Sequence, residues 1–169
     1  MAIDFEVTDL GAADHPTVGE PAPAFTRPLV TAEYWEDTAL SALEPPVVLV
    51  FTPMLGSFPA TYIYDELADR AWDDQYDVSV VGCTISTPYD IARFLDAEDY
   101  PYPLFSDPAN GVAERYGVVH DLDGMAGVSE PRPAVFVIDD DRSIQYAWAA
   151  TEWPAFPPYD AIADALASR

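Results

Sequence analysis

Residues 47–67 limit the folds open to this chain more than any other part of its sequence. They begin with five consecutive apolar residues, Val47–Phe51, the pattern of a strand buried on both faces. A turn rich in proline and glycine follows, and a helical pattern begins at about Ala60. Because a helix N-terminus presents free N–H groups and favours negative charge, the start of this helix is a suitable place for a reactive group.

The remaining apolar segments extend this unit into an α/β pattern. The order is strand, helix, strand, helix, then a hairpin and a closing helix, which predicts a thioredoxin-like α/β sandwich with a central mixed sheet flanked by helices. We expect one domain over residues 18–169, preceded by an acidic N-terminal arm at 1–17. The predicted strands are 3–7, 29–30, 47–51, 78–85, 102–105, 134–138 and 143–149, and the predicted helical segments are 40–43, 60–73, 89–96, 106–116 and 160–167. For residues 118–131 we predict a glycine-rich loop without a helix or strand.

The charge of the chain disfavours some classes of binding partner. It carries 30 acidic and 7 basic residues, for a net charge of −23, whereas about 2 to 8 is usual for a small domain. Such a chain disfavours nucleic acid and anionic membranes as partners. The acids are spread over every segment, which is typical of a protein from a very salty cytosol, where salt screens the repulsion. An ordinary acidic protein is the alternative.

The N-terminus and the cysteine content point to the cytoplasm. The first ten residues have no basic segment and no long apolar run, so we expect no signal peptide. No stretch approaches the roughly 20 apolar residues of a membrane span. Cys83 is the one cysteine, so an internal disulfide is excluded.

Six short motifs resemble those of a single family in order and spacing. They are VGEPAPAF at 18–25, VLVFTP at 48–53, VGCTIS at 81–86, FSD at 105–107, YGV at 116–118 and VFVID at 135–139. Together they resemble a peroxiredoxin of the alkyl hydroperoxide reductase/thiol-specific antioxidant group, including its bacterioferritin-comigratory branch. The resemblance implies a thioredoxin-like fold and a thiol-dependent antioxidant role, with no metal or other cofactor.

The resemblance also implies where peroxidase chemistry would lie. The family motif is Pro-x-x-x-Thr-x-x-Cys, in which a thiolate on the first helical turn attacks the peroxide and an arginine stabilises it. Pro53 stands in the proline position and Ser57 in the threonine position. Ala60 stands in the cysteine position, and Thr61 keeps the small residue that often follows. A methyl group cannot attack a peroxide or form a sulfenic acid.

Two further positions depart from the family pattern. Ile63 stands where an acid often follows the cysteine, and Pro133 stands where the arginine often lies. Arg132 lies one residue earlier, and the sequence leaves open whether it reaches the site. An engineered Cys-to-Ala replacement would explain Ala60 alone, whereas a natural loss of function explains all three positions.

Several other residues have both a functional and a structural interpretation. Cys83 could have taken over redox work or form an intermolecular disulfide, but its phase with Val81 favours a buried strand position. Pro133 could be a cis-proline beside the site or part of a rigid turn. Tyr62 and Tyr64 could line the pocket or belong to a dimer face, since the family often pairs through that edge.

Two other classes of site fit poorly. Ser57 with His120 and an aspartate could form a hydrolase triad, but no nucleophile-elbow pattern supports it. The loop 120–124 could hold calcium, but the twelfth residue counted from Asp121 is Arg132 where the pattern needs a glutamate.

The sequence therefore leaves three functional hypotheses. The first is a peroxiredoxin-like protein that has lost its peroxidase step and acts as a binding or regulatory module, with a thiol-redox protein as its partner. The second is an active thiol oxidoreductase that uses Cys83 or a partner's thiol. The third is an interaction protein whose working unit is a homodimer.

Overall fold

The computed structural model describes residues 6–120 and 125–169. The helices are Phe58–Arg70 (α1), Trp72–Tyr76 (α2), Pro88–Glu98 (α3), Gly111–Arg115 (α4) and Tyr159–Ala167 (α5), with a 3-10 turn at Leu40–Ala42. The strands are Thr8–Asp9 (β1), Thr26–Val30 (β2), Trp35–Ala39 (β3), Val47–Phe51 (β4), Ser79–Thr84 (β5), Leu104–Ser106 (β6), Val119–His120 (β7), Glu130–Pro131 (β8), Ala134–Ile138 (β9), Ile144–Ala149 (β10) and Glu152–Trp153 (β11).

Seven of these strands form the central sheet, in the order β10-β9-β4-β5-β6-β2-β3. The pairs β4–β5 and β5–β6 are parallel, and each is joined by a helical crossover. The pairs β4–β9, β9–β10, β2–β6 and β2–β3 are antiparallel. The predicted central mixed sheet flanked by helices is therefore confirmed.

The two faces of the sheet bury separate cores, and the alternation of side chains along β4 divides them. Val48 and Val50 pack in the core that contains residues of α1, α3 and α5. Val47, Leu49 and Phe51 pack in the other core, which contains residues of α4. All five residues of β4 are fully buried, as their unbroken apolar run predicts.

Several predicted elements are confirmed with shifted ends. The strands predicted at 47–51 and 134–138 agree at both ends. Helix α1 begins at Phe58, two residues before the predicted start, and ends at Arg70 because Ala71 adopts a left-handed φ of 48°. Helix α3 begins after Thr87, whose hydroxyl accepts a hydrogen bond from the Asp90 N–H at 3.3 Å, as is usual for an N-cap residue.

Other segments differ from the sequence prediction. The edge strand β3 was not expected, because its sequence WEDTA is mostly polar and exposed. The segment 118–131 was expected to lack regular structure, but β7 and β8 pair within it. Residues 121–124 of the rejected calcium loop, and most of the strand predicted at 3–7, lie outside the described residues.

The described part of the predicted N-terminal arm contacts the rest of the chain. Strand β1 pairs with β11, and the Leu10 N–H donates to the Thr151 carbonyl at 2.8 Å. The ring of His15 lies edge-on to Phe136, with 5.8 Å between centroids. The division of the chain at residue 18 stays a prediction.

Candidate functional site

The loop between β4 and α1 is closed by hydrogen bonds of its own. The N–H and the hydroxyl of Ser57 both donate to the Met54 carbonyl, at 3.2 and 2.8 Å. Gly56 has a φ of 94°, in the region that favours glycine. The Ser57 hydroxyl, predicted to occupy the position of a substrate-binding threonine, therefore donates its proton within the loop.

Three contacts from elsewhere in the chain fix the same loop. Thr84, at the end of β5, donates its hydroxyl to the Pro53 carbonyl at 3.1 Å. The Leu55 N–H donates to the hydroxyl of Ser86 at 3.0 Å. The Met54 N–H donates to a carboxylate oxygen of Glu130 at 2.9 Å.

Ala60 lies in the first turn of α1 and is fully buried. It belongs to the core between α1 and the sheet, together with Ile63. Thr61 is exposed, and its hydroxyl donates to the Ser57 carbonyl at 3.1 Å. Pro53, Ser57, Ala60 and Thr61 thus lie in one loop and turn.

The two tyrosines beside Ala60 have different environments. Tyr64 is 1% exposed, and its hydroxyl lies 2.7 Å from the hydroxyl of Thr52 at the end of β4. Burial raises the pKa of the Tyr64 phenol above its ordinary value of 10.0, so its hydroxyl stays protonated to a more alkaline pH than that of an exposed tyrosine. Tyr62 is 62% exposed and faces away from this core. Tyr64 therefore fills the interior below the loop, and Tyr62 contributes to the surface.

Arg132 is held by backbone carbonyls remote from Ala60 in sequence. Its Nη1 donates to Gly11 at 2.9 Å and to Ala150 at 3.1 Å, and its Nη2 donates to Val119 at 3.4 Å. Its Nε–H is buried without a partner among the described residues. Burial lowers the pKa of this guanidinium. The observed hydrogen bonds of Arg132 stabilise the packing of the N-terminal segment and do not join it to the loop.

The bond that precedes Pro133 is not cis. Within the described residues the cis peptide bonds are Pro45–Pro46 and Trp153–Pro154. Pro133 directly precedes β9 and is buried, as expected for a rigid connection into a core strand.

Cys83 is in β5, and its side chain packs in the core on the other face of the sheet from Ala60. It is 1% exposed. Burial, and secondly the negative charge of Asp107, raise the pKa of the thiol well above its ordinary value, while Arg27 opposes this. A thiol with a raised pKa and almost no solvent contact is a poor nucleophile. The interpretation as a buried strand residue is therefore favoured by its geometry.

Sequence reasoning missed Glu130. Its side chain is 2% exposed although it carries a carboxylate, and it anchors the Met54 N–H from 76 residues away. The segment around it has no apolar periodicity, so no sequence signal placed it beside the loop.

The described residues contain neither a membrane-spanning helix nor a cluster of metal-binding side chains. In the ranges 6–120 and 125–169, no helix combines the length and apolar character needed to cross a membrane. Within the same part of the chain, no three or more His, Cys, Asp or Glu side chains are grouped so that they could hold a metal ion.

Comparison with known proteins agrees with this architecture. The sequence model of the AhpC/TSA family matches residues 18–147. A protein of Synechocystis sp. named as a peroxiredoxin is 27% identical over 139 residues, which cover 77% of this chain and 67% of that relative.

Two solved structures resemble the fold over nearly the whole chain. Peroxidoxin BcpB from Mycobacterium tuberculosis has a TM-score of 0.74 at 27% identity, covering 91% of this chain and 96% of its own. Reduced 2-Cys peroxiredoxin from Plasmodium vivax has a TM-score of 0.77 at 20% identity, covering 90% of this chain and 81% of its own. The fold is thioredoxin-like, as predicted, and the chain belongs to the AhpC/TSA family of peroxiredoxin-like proteins.

Proposed function

We propose that this protein has kept the peroxiredoxin fold, has lost the peroxidase step, and acts as a non-catalytic binding or regulatory module. The observation that carries the proposal is Ala60, a fully buried methyl group in the first turn of α1. Its equivalence to the reactive cysteine rests on the spacing Pro53, Ser57, Ala60. On this alignment the position lacks the sulfur that would attack the peroxide.

The surroundings of Ala60 support the same proposal. The hydroxyl of Ser57 donates to Met54 within the loop, and Ile63 replaces an acid with a buried aliphatic side chain. The guanidinium of Arg132 donates to three carbonyls outside the loop. The groups that would bind and polarise a peroxide therefore have other structural roles.

The setting we propose is the cytosol of an organism with a high internal salt concentration. A net charge of −23 spread over the chain favours a protein adapted to screened electrostatics. A thiol-redox protein is the partner that the family resemblance favours, and a homodimer is a further proposal that light scattering in molar KCl would test.

Peroxide consumption in the presence of a dithiol reductant tests the loss of chemistry. We expect the wild-type protein to consume no more peroxide than the reductant alone, with an active peroxiredoxin in the same salt as positive control. The matched variant is Cys83→Ser, which removes the only thiol. Robust turnover that disappears in Cys83→Ser would contradict the proposal and favour an active oxidoreductase that uses Cys83.

A further inference from the structure

An apolar groove of about 410 Å³ lies along the outer face of α1. This volume is in the range of roughly 300–1,000 Å³ that is usual for small-molecule sites. The groove is separate from the core that buries Ala60, since Tyr62 lines it from the exposed side of the helix. Its lining consists of four aromatic rings, a proline and a carboxylate: Phe58, Tyr62, Tyr159, Phe156, Pro154 and Glu66.

Three of the rings contact one another. The centroid of Phe58 lies 6.3 Å from that of Tyr62 and 6.4 Å from that of Phe156, and Tyr62 and Phe156 are 6.1 Å apart. The planes of these pairs are 60–85° apart. Trp153 supports Phe58 at 5.3 Å. Tyr62 is 62% exposed and Phe156 41% exposed, so part of their ring surface stays open to solvent. The face of an aromatic ring attracts positive charge.

The charges beside the groove favour a cation. Arg70 donates to Glu66 at 2.8 Å and to Asp160 at 3.0 Å, so two carboxylates share one guanidinium. This corner therefore keeps a net negative charge, in a chain whose total charge is −23. An anionic ligand would be repelled from such a surface.

The guanidinium of Arg70 already lies over one of the aromatic rings that line the groove. The guanidinium carbon of Arg70 is 5.0 Å from the centroid of the Tyr159 ring, within the distance of roughly 6 Å at which a cation and a ring attract. The Glu66 carboxylate uses one of its two oxygens, Oε1, in the observed bond to Arg70. Its side chain is 41% exposed, so its charge acts on the groove as well as on Arg70.

We propose that this groove binds a small organic cation, an ammonium or quaternary ammonium group carried on an apolar body. The aromatic rings would contact the alkyl groups and the charge, and Glu66 would complement the charge. The proposal deepens the proposed binding role and rests on it. The titration that tests the groove does not measure peroxide consumption. Its failure would therefore be distinguishable from failure of the proposed loss of peroxidase activity.

Choline and 3,3-dimethylbutan-1-ol are the matched probes, because they have the same shape and differ in charge. Calorimetric titration at constant ionic strength should show saturable binding of choline and binding of the neutral alcohol at least about tenfold weaker, a difference of about 1.4 kcal/mol. Glu66→Gln should weaken choline binding and leave binding of the alcohol unchanged.

Variants of the rings locate the site. Tyr62→Leu and Phe156→Leu keep apolar side chains and remove the ring faces, and both should reduce choline affinity severalfold. Tyr89→Leu is the control, because Tyr89 is another exposed tyrosine that packs on Trp35 elsewhere. It should bind choline as the wild type does, and thermal unfolding of each variant would verify that it is folded.

Three results would overturn the proposal. Equal affinity for choline and the neutral alcohol would mean that the groove recognises apolar groups without regard to charge. No saturable binding of choline would exclude the cation site. Concentration-dependent self-association that Phe156→Leu abolishes would show that a second copy of the chain covers the groove.

Discussion

Ala60 and Cys83 lie on opposite faces of the central sheet. Ala60 packs with Val50 in the core below α1, whereas Cys83 packs with Phe51 in the core that contains α4. Cys83 is in β5, which pairs in parallel with β4. In this register Phe51 lies beside Cys83 and Val50 lies beside Gly82. A change of side-chain rotamer therefore cannot bring the Cys83 thiol to the first turn of α1.

Restoring a thiol by Ala60→Cys should not restore peroxide turnover. The Ser57 hydroxyl donates to Met54, and the Nη atoms of Arg132 donate to three backbone carbonyls, so we expect neither side chain to activate a thiolate at position 60. The added sulfur should also lower the free energy of unfolding by about 1–3 kcal/mol, because position 60 is fully buried. Peroxide consumption and denaturant unfolding would measure both effects.

Ala60→Ser is the control for added volume, since its hydroxyl cannot form a sulfenic acid. Turnover in Ala60→Cys well above that of Ala60→Ser would mean that the missing sulfur was the only defect. The loop would then still be competent for catalysis.

Glu130→Ala should destabilise the β4–α1 loop. Its carboxylate accepts the hydrogen bond from the Met54 N–H, and a bond to a charged acceptor contributes roughly 1.5–3 kcal/mol. We expect a loss of this size in the free energy of unfolding and faster amide exchange at Met54. Glu130→Gln keeps an acceptor oxygen and should lose less. Unchanged exchange at Met54 in Glu130→Ala would show that the bond does not hold the loop.

The α/β core could be predicted from the sequence because local patterns determine it. The hydrogen bond between Met54 and Glu130 could not be predicted. The run Val47–Phe51 is apolar throughout, and Thr87 precedes Pro88, so the strand and the start of α3 follow from neighbouring residues. Met54 and Glu130 are 76 residues apart, and no periodicity links them.

The candidate site was predictable to a similar extent. Pro53, Ser57 and Ala60 lie in one loop and turn, as their spacing suggests, and their role as a degenerate peroxidatic site stays a prediction. The groove on α1 was not predicted, because Phe156 and Tyr159 reach it only through the packing of the C-terminal segment. Edge strand β3 was missed because an exposed edge needs no apolar alternation.

Alkaline pH should destabilise the protein through Tyr64. Burial is the largest cause that raises the pKa of this phenol above its ordinary value of 10.0. The stability that Tyr64 contributes is fully present below pH 10.0 and is lost as the pH rises through the pKa of the folded state. The reason is that, in this pH range, the unfolded chain releases a proton that the native state retains. Tyr64→Phe should reduce this decline in the free energy of unfolding.

The same variant should be less stable at neutral pH. It leaves the Thr52 hydroxyl buried without its 2.7 Å partner, at a cost of about 1–3 kcal/mol. Tyr62→Phe, at an exposed position, is the control and should change neither property. An identical pH profile for wild type and Tyr64→Phe would contradict the assignment.

Added KCl should stabilise the protein. The net charge of −23 repels itself most strongly in dilute buffer, and the Debye length falls from about 10 Å at 0.1 M to about 3 Å at 1 M salt. Asp140→Arg, in the exposed β9–β10 turn beside Asp139 and Asp141, should raise the melting temperature at low salt and lose this advantage in molar KCl. A melting temperature independent of KCl would count against adaptation to high salt.

The most direct test of the central claim is to trap sulfenic acid on the native protein with a reagent that reacts with sulfenic acids and not with thiols. After exposure to equimolar hydrogen peroxide in molar KCl, dimedone followed by mass spectrometry should find no adduct on Cys83, because the thiol is buried and its pKa is raised. The denatured chain, treated in the same way, should acquire the adduct and so validate the assay. Rapid labelling of Cys83 in the folded protein would contradict the account and indicate that this chain is an active thiol peroxidase.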